Sequence, residues 1–123
     1  MRKLIECVPN ISEGRDDAKI KAIYSVVETV EGVKLLDVDP GRATNRTVIT
    51  FVGEPDAVVE AAFRLIKKAQ ELIDMTKHKG EHPRFGATDV CPFVPVANAS
   101  MEDCIACAQA LGERVGKDLG IPV

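Results

Sequence analysis

His78-Lys-Gly-Glu81-His82 places both histidines of the chain in one short stretch, followed at once by Pro83 and Arg84. Histidine titrates near neutrality, so one imidazole can act as acid and as base within a single catalytic cycle. Glu81 and the cations Lys77, Lys79 and Arg84 would set its pKa and attract anionic substrate groups. The same spacing reads as H-x-x-E-H, a zinc-peptidase pattern in which two histidines share a helix face and the glutamate is the base. Gly80 between the histidines and Pro83 directly after the second argue against a helix there, because a residue preceding proline is driven out of the α region. No third, acidic ligand is identifiable, and no metal is expected. A solvated charged loop is the alternative to a catalytic one.

A second polar cluster comprises Asp37, Asp39, Arg42, Thr44, Asn45 and Arg46. It holds more residues than a minimal hairpin turn needs, as functional loops often do. An ordinary hairpin with Pro40-Gly41 as its turn is the other possibility. Asn10-Ile-Ser-Glu-Gly14 forms a third candidate loop, which could equally be turn and helix-start chemistry. Cys104-x-x-Cys107 lacks a second pair and follows the apolar stripe of a helix, so buried core cysteines are expected, and Cys7 and Cys91 fall in strand patterns.

The elements that must position these residues follow from periodicity. Residues 3–8 read as a strand ended by Pro9, with loop chemistry over 10–15. Ile20, Ile23, Tyr24, Val27 and Val30 mark one helix face, with Asp16 and Asp17 at its positive end and Gly32 as its stop. Residues 33–38 read as a second strand, 39–45 as a polar loop, and the β-branched stretch 46–52 as a third strand. Pro55 opens a second helix whose apolar stripe runs to Ile73. A polar segment spans 74–84. Residues 88–96 suggest a fourth strand, at an edge or irregular, because Pro92 and Pro95 cannot donate to a ladder. Ser100-Met-Glu-Asp103 resembles a capping box ahead of a third helix, which ends at Gly120 and Pro122.

The order β-α-β-β-α-β-α specifies an α+β, ferredoxin-like two-layer sandwich, a four-stranded, mostly antiparallel sheet with helices on one face. The bare face calls for a cover, either a partner subunit or a further domain. A length of 123 residues suits one domain with a core of its own. The 16 basic and 19 acidic residues leave a net charge of −3, and aromatics are scarce, so a nucleic-acid partner is not expected. No apolar run approaches membrane-spanning length and no signal-peptide core follows Met1-Arg2-Lys3, so neither membrane nor export is expected and the cytoplasm is the expected setting.

Taken together, the loops resemble one family. Glu6-Cys-Val-Pro-Asn-Ile-Ser-Glu-Gly-Arg15 is similar to the opening of the formiminotransferases (glutamate formimidoyltransferases), where E-C-V-P-N-F-S-E-G is typical. Leu36-Asp-Val-Asp39, Thr44-Asn-Arg-Thr-Val48, Thr50-Phe-Val-Gly53, Leu72-Ile-Asp-Met75, His78-Lys-Gly-Glu-His-Pro-Arg84, Gly86-Ala87 and Asp89-Val-Cys-Pro-Phe-Val-Pro-Val96 resemble the same family, in the same order. These motifs cover essentially the whole chain.

The resemblance implies that residues 1–123 are the N-terminal subdomain of an enzyme that moves a formimino group from N-formimino-glutamate to tetrahydrofolate, a one-carbon step of histidine breakdown. Tetrahydrofolate would be a co-substrate, with no metal. It assigns the catalytic histidine to His82. Residue type and motif membership add Glu81 and Asp39 as carboxylates facing a cationic amidine, Arg46 and Arg84 as carboxylate clamps, and Asn10, Asn45 and Gly86 as substrate or folate contacts. The family unit has a second subdomain that this sequence does not match, so activity is expected only with that half, and the expected partner is a complementing subdomain or a homodimer mate. A non-catalytic ferredoxin-like module, binding a small molecule or dimerising, is the alternative function.

Overall fold

Arg46–Gly53 alternates half-buried and buried residues along its whole length, with Thr47, Ile49 and Phe51 fully enclosed. In the computed structural model, which describes residues 3–73, 88–90 and 92–119, this strand is the spine of the sheet. In chain order the elements are β1 (Leu4–Cys7), β2 (Asn10–Ile11), α1 (Asp17–Ser25), β3 (Val33–Gly41), β4 (Arg46–Gly53), α2 (Pro55–Leu72), β5 (Thr88–Val90), β6 (Phe93–Ala97) and α3 (Met101–Leu119). β3 and the β1/β2 pair flank β4, while β6 lies beyond β1 and β5 beyond β2, and every pairing is antiparallel.

Among the described residues the four sequence-predicted strands thus become six, because two of them are interrupted. Pro9 has no N–H to give, so it breaks the first strand, yet its carbonyl still accepts from Ile49 N (3.0 Å) and the pairing resumes at Asn10. Val8 N likewise donates to Pro92 O (3.1 Å), which bridges the interruption in the fourth strand. The stretch expected to be loop over 10–15 therefore begins with two strand residues. The irregular edge expected from Pro92 and Pro95 is found, with β6 paired, among the described residues, only to β1.

A larger correction concerns 39–45. β3 continues to Gly41, and Asp39 pairs with Val48 instead of sitting in a loop. Pro40 is tolerated because, among the described residues, β3 is an edge strand paired only to β4. The register shifts between Leu35 and Asp37, a bulge that leaves Leu36 exposed.

α1 is also shorter than the periodicity suggests. It is capped by Asp16, whose carboxylate accepts from Lys19 N (3.1 Å), and it ends at Ser25. Val27–Thr29 forms a single 3₁₀ turn instead. The run Val26-Val27 and Thr29-Val30 is β-branched and stiff at χ1, which disfavours continuing the α-helix. Ser25 Oγ and Thr29 Oγ1 each donate to a carbonyl of the preceding turn, Lys21 O and Val26 O. Val27 and Val30 still reach the core.

α2 packs on β1 and β4, and α3 packs on α2 and β6, so the described helices cover one face. Ile5, Cys7, Ile11, Ile49 and Phe51 from the sheet meet Val58, Ala62, Leu65 and Ala69 of α2 and Cys104, Cys107, Leu111 and Val115 of α3. Each fully enclosed large side chain contributes about 1.5–3 kcal/mol of burial. Cys7, Cys104 and Cys107 are buried, as expected, and burial pushes the Cys104 and Cys107 thiols up. Cys91 lies outside the described residues. The capping box of α3 is present, with Asp103 Oδ2 accepting from Ser100 N (2.9 Å) and Ser100 Oγ from Asp103 N (3.3 Å).

One charged cluster joins α2 to α3. Arg114 lies 3.8 Å over the Phe63 ring and donates to Glu60 Oε1, while Arg64 Nε donates to Glu60 Oε2 (2.8 Å). The hydrogen bond from Arg114, with a smaller one from Arg64, outweighs burial and holds the Glu60 carboxyl below its ordinary value of 4.5. A depressed carboxyl stabilises the fold above its unfolded-state pKa and loses that contribution as pH falls through the folded value. Glu60→Gln is therefore expected to be less stable than wild type near neutrality, with the gap closing at a pH below the ordinary carboxyl value. Urea unfolding at the two pH values measures it, and a gap independent of pH contradicts the assignment.

Candidate functional site

The period-two alternation that buries Thr47, Ile49 and Phe51 under the helices turns Arg46, Val48, Thr50 and Val52 to the opposite face. Cross-strand register then determines what stands beside them. Val48 pairs with Asp39 on one side and Asn10 on the other, and Asn10 pairs in turn with Val90. Asp39 and Asn10 thus occupy one row across the open face, two strand spacings or about 10 Å apart. Arg46 stands one row further towards the hairpin, about 7 Å along β4 from Val48. Asp37 and Thr50 form the row on the other side, and Lys34, Val52, Glu6 and Val94 the next.

Three residues from separate segments of sequence, Asn10, Asp39 and Arg46, are therefore brought to one end of one face. Asp39 is exposed, while Asn10 and Arg46 are half-buried and the Arg46 Nε is shielded from solvent. An anion, a guanidinium and an amide side by side can recognise a zwitterionic or amidine-bearing small molecule that also carries a carboxylate. Val94 and Val96, 44% and 53% exposed, extend the same face with apolar surface.

Asn45 stands apart from this row. It occupies the tip of the β3–β4 hairpin at φ 54°, a left-handed conformation asparagine tolerates better than most residues. Its Oδ1 accepts from Gly14 N (2.9 Å). Glu81, His82, Arg84 and Gly86, with His78 and the zinc alternative, lie outside the described residues. The chain is described again at Thr88, which pairs with Ile11, the neighbour of Asn10.

Two features escaped the sequence patterns. Glu6 and Thr50 share the open face, and strand parity with Asn10 and Arg46 is the signal that finds them. Ser12, Glu13 and Thr47 are buried polar residues at the root of the Ser12–Asp16 loop. Glu13 Oε2 accepts from Arg15 N and Asp16 N (3.1 Å each), and Thr47 Oγ1 donates to Glu13 O (2.5 Å). Nothing local in the sequence distinguishes this buried glutamate from a surface one. Away from the open face, a groove of about 220 Å³ between the 3₁₀ turn and α2 is lined by Val26, Thr29, Arg64, Lys67, Lys68 and Glu71.

Among the described residues no helix is long and apolar enough to cross a membrane. Residues 4–123 match the family model for the formiminotransferase domain, N-terminal subdomain. The chain is 57% identical over its full length to a formimidoyltransferase-cyclodeaminase of Dictyostelium discoideum, covering 23% of that protein. It is 54% identical to a glutamate formimidoyltransferase of Thermoplasma acidophilum over 98% of its own length and 40% of the relative's. To a glutamate formimidoyltransferase of Streptococcus pyogenes it is 47% identical over its full length, which is 41% of that protein.

Proposed function

Since the chain belongs to the formiminotransferase family as its N-terminal subdomain, we propose that it forms one wall of an active site that transfers a formimino group from N-formimino-glutamate to tetrahydrofolate. What carries the proposal is the family match over residues 4–123, joined to the placement of Asn10, Asp39 and Arg46 on the sheet face away from the helices. The curated relatives are two to four times longer, so the transferring unit is taken to be this wall plus a second half that closes over it.

The chemistry assigns a task to each residue. The N5 amine of the folate attacks the formimino carbon and gives a tetrahedral adduct. Its collapse expels the glutamate amine, a poor leaving group until protonated. His82 removes the N5 proton and returns a proton to the departing nitrogen, so the two transfers balance. The formimino group is an amidine and carries positive charge, which an anion stabilises. Asp39 on β3 supplies that anion, with Glu81 as a second. Arg46 and Arg84 pair with substrate carboxylates, and Asn10 and Gly86 contact the amide or pterin portions. The setting is cytoplasmic, and the assembly is completed by the second half or by a homodimer.

The test is an assay of 5-formimino-tetrahydrofolate formation by the full-length protein. Turnover is expected, and Asp39→Asn is expected to lower it roughly tenfold, about 1.4 kcal/mol of lost charge stabilisation. Intact folate binding with no turnover would instead favour a binding module of the same fold.

A further inference from the structure

The loop that follows β2 is fastened to the tip of the β3–β4 hairpin at several points. Gly14 N donates to Asn45 Oδ1 (2.9 Å), Thr47 Oγ1 to Glu13 O (2.5 Å), and Arg15 Nε to Arg42 O (2.9 Å). Gly14 lies so close to the hairpin backbone that a Cβ there would come within 2.6 Å of Arg46 N and O. Three strands that meet at this junction carry the site. β2 brings Asn10, and the two arms of the hairpin bring Asp39 and Arg46.

Among these contacts Asn45 is distinctive. Its left-handed backbone turns the hairpin, and its amide oxygen holds the neighbouring loop. One residue therefore sets the shape of the hairpin and its distance from β2. We infer that Asn45 is a positioning residue, which fixes Asp39 and Arg46 relative to Asn10 by clamping Gly14, and that it does not itself contact substrate. This inference rests on the formimino-transfer reading for its kinetic consequence, though not for its structural one.

Two substitutions separate the parts. Asn45→Gly keeps the left-handed backbone and removes the acceptor. Asn45→Asp keeps an acceptor oxygen in the same place. Both are to be made in the full-length protein. Hydrogen exchange at the Gly14 amide is expected to quicken roughly tenfold in the glycine variant, as for the loss of one hydrogen bond, and to return towards wild type in the aspartate variant. The Asn10 side-chain amide resonances are expected to move in the first and recover in the second. For formimino transfer, Asn45→Gly is expected to lower kcat roughly tenfold with KM little changed, since misplacement of reacting groups acts on the chemical step. Asn45→Asp is expected to recover most of that loss.

A rise in KM alone, without recovery by aspartate, would mean that Asn45 contacts substrate and would overturn the inference. Faster Gly14 exchange with unmoved Asn10 resonances and unchanged kcat would overturn it as well. Absence of transfer in the wild-type protein defeats the functional reading but not this one, because the Gly14 and Asn10 measurements then decide it alone.

Discussion

His82→Ala is expected to reduce formimino transfer by about 100-fold or more, because in the proposed mechanism it removes the group that accepts and returns the transferred proton. The loss should fall on kcat, since a proton carrier acts in the transition state and contributes little to ground-state binding. His82→Gln retains hydrogen-bonding capacity without titrating near neutrality, and it is expected to be as impaired as the alanine variant. Single-turnover measurements with saturating formiminoglutamate and folate separate this from a binding defect. Turnover near wild type in either variant would sink the proton-transfer account and shift attention to Glu81 and Asp39. The parallel substitution His78→Ala is the natural comparison. A mechanism with one catalytic imidazole tolerates loss of the other histidine, whereas a two-histidine metal site would not.

How far the sequence reaches is visible in particular residues. The apolar periods place α2 and α3 well, because long amphipathic helices announce themselves over several turns. Ser100 and Asp103 signal their cap by type and spacing alone. Asp39 was legible as a site candidate but not as a strand residue. Pro40-Gly41 looks like a turn locally, and only the pairing of Asp39 with Val48 and Gly41 with Arg46 shows that the hairpin bends later. Asn10 was misplaced for the same reason, since Pro9 ends a strand by local rules while Pro9 O still pairs with Ile49 across the break. In both cases tertiary pairing overrides a breaker residue that has a usable carbonyl and an edge or gap to sit in. The fastening of Gly14 to the hairpin tip was illegible altogether. It joins residues 31 positions apart, and no periodicity carries information over that separation.

Gly14→Ala is the sharpest structural consequence of that fastening. The added methyl would overlap the backbone of Gly41 and Arg46, and backbone atoms cannot move aside as a flexible side-chain end can. Forcing one methyl into a filled space costs about 3 kcal/mol or more when the obstruction is main chain. Gly32→Ala provides the contrast. Gly32 has φ +88°, yet its nearest neighbour to a new Cβ is the Ala57 Cβ at 3.8 Å, so space is open and only the backbone conformation is disfavoured. A single left-handed residue costs roughly 1–2 kcal/mol. Urea unfolding of the two variants should therefore rank Gly14→Ala well below Gly32→Ala, two glycines required for different physical reasons. Equal losses would mean that the Ser12–Asp16 loop can withdraw from the hairpin at little cost. Its hold on Asp39 and Arg46 would then be too weak to position a reacting group. The functional corollary follows from the geometry. Relief of the overlap pushes the hairpin tip away from β2, so Gly14→Ala should also lose formimino transfer at temperatures where it remains folded, whereas Gly32→Ala, at the far end of β3, should not.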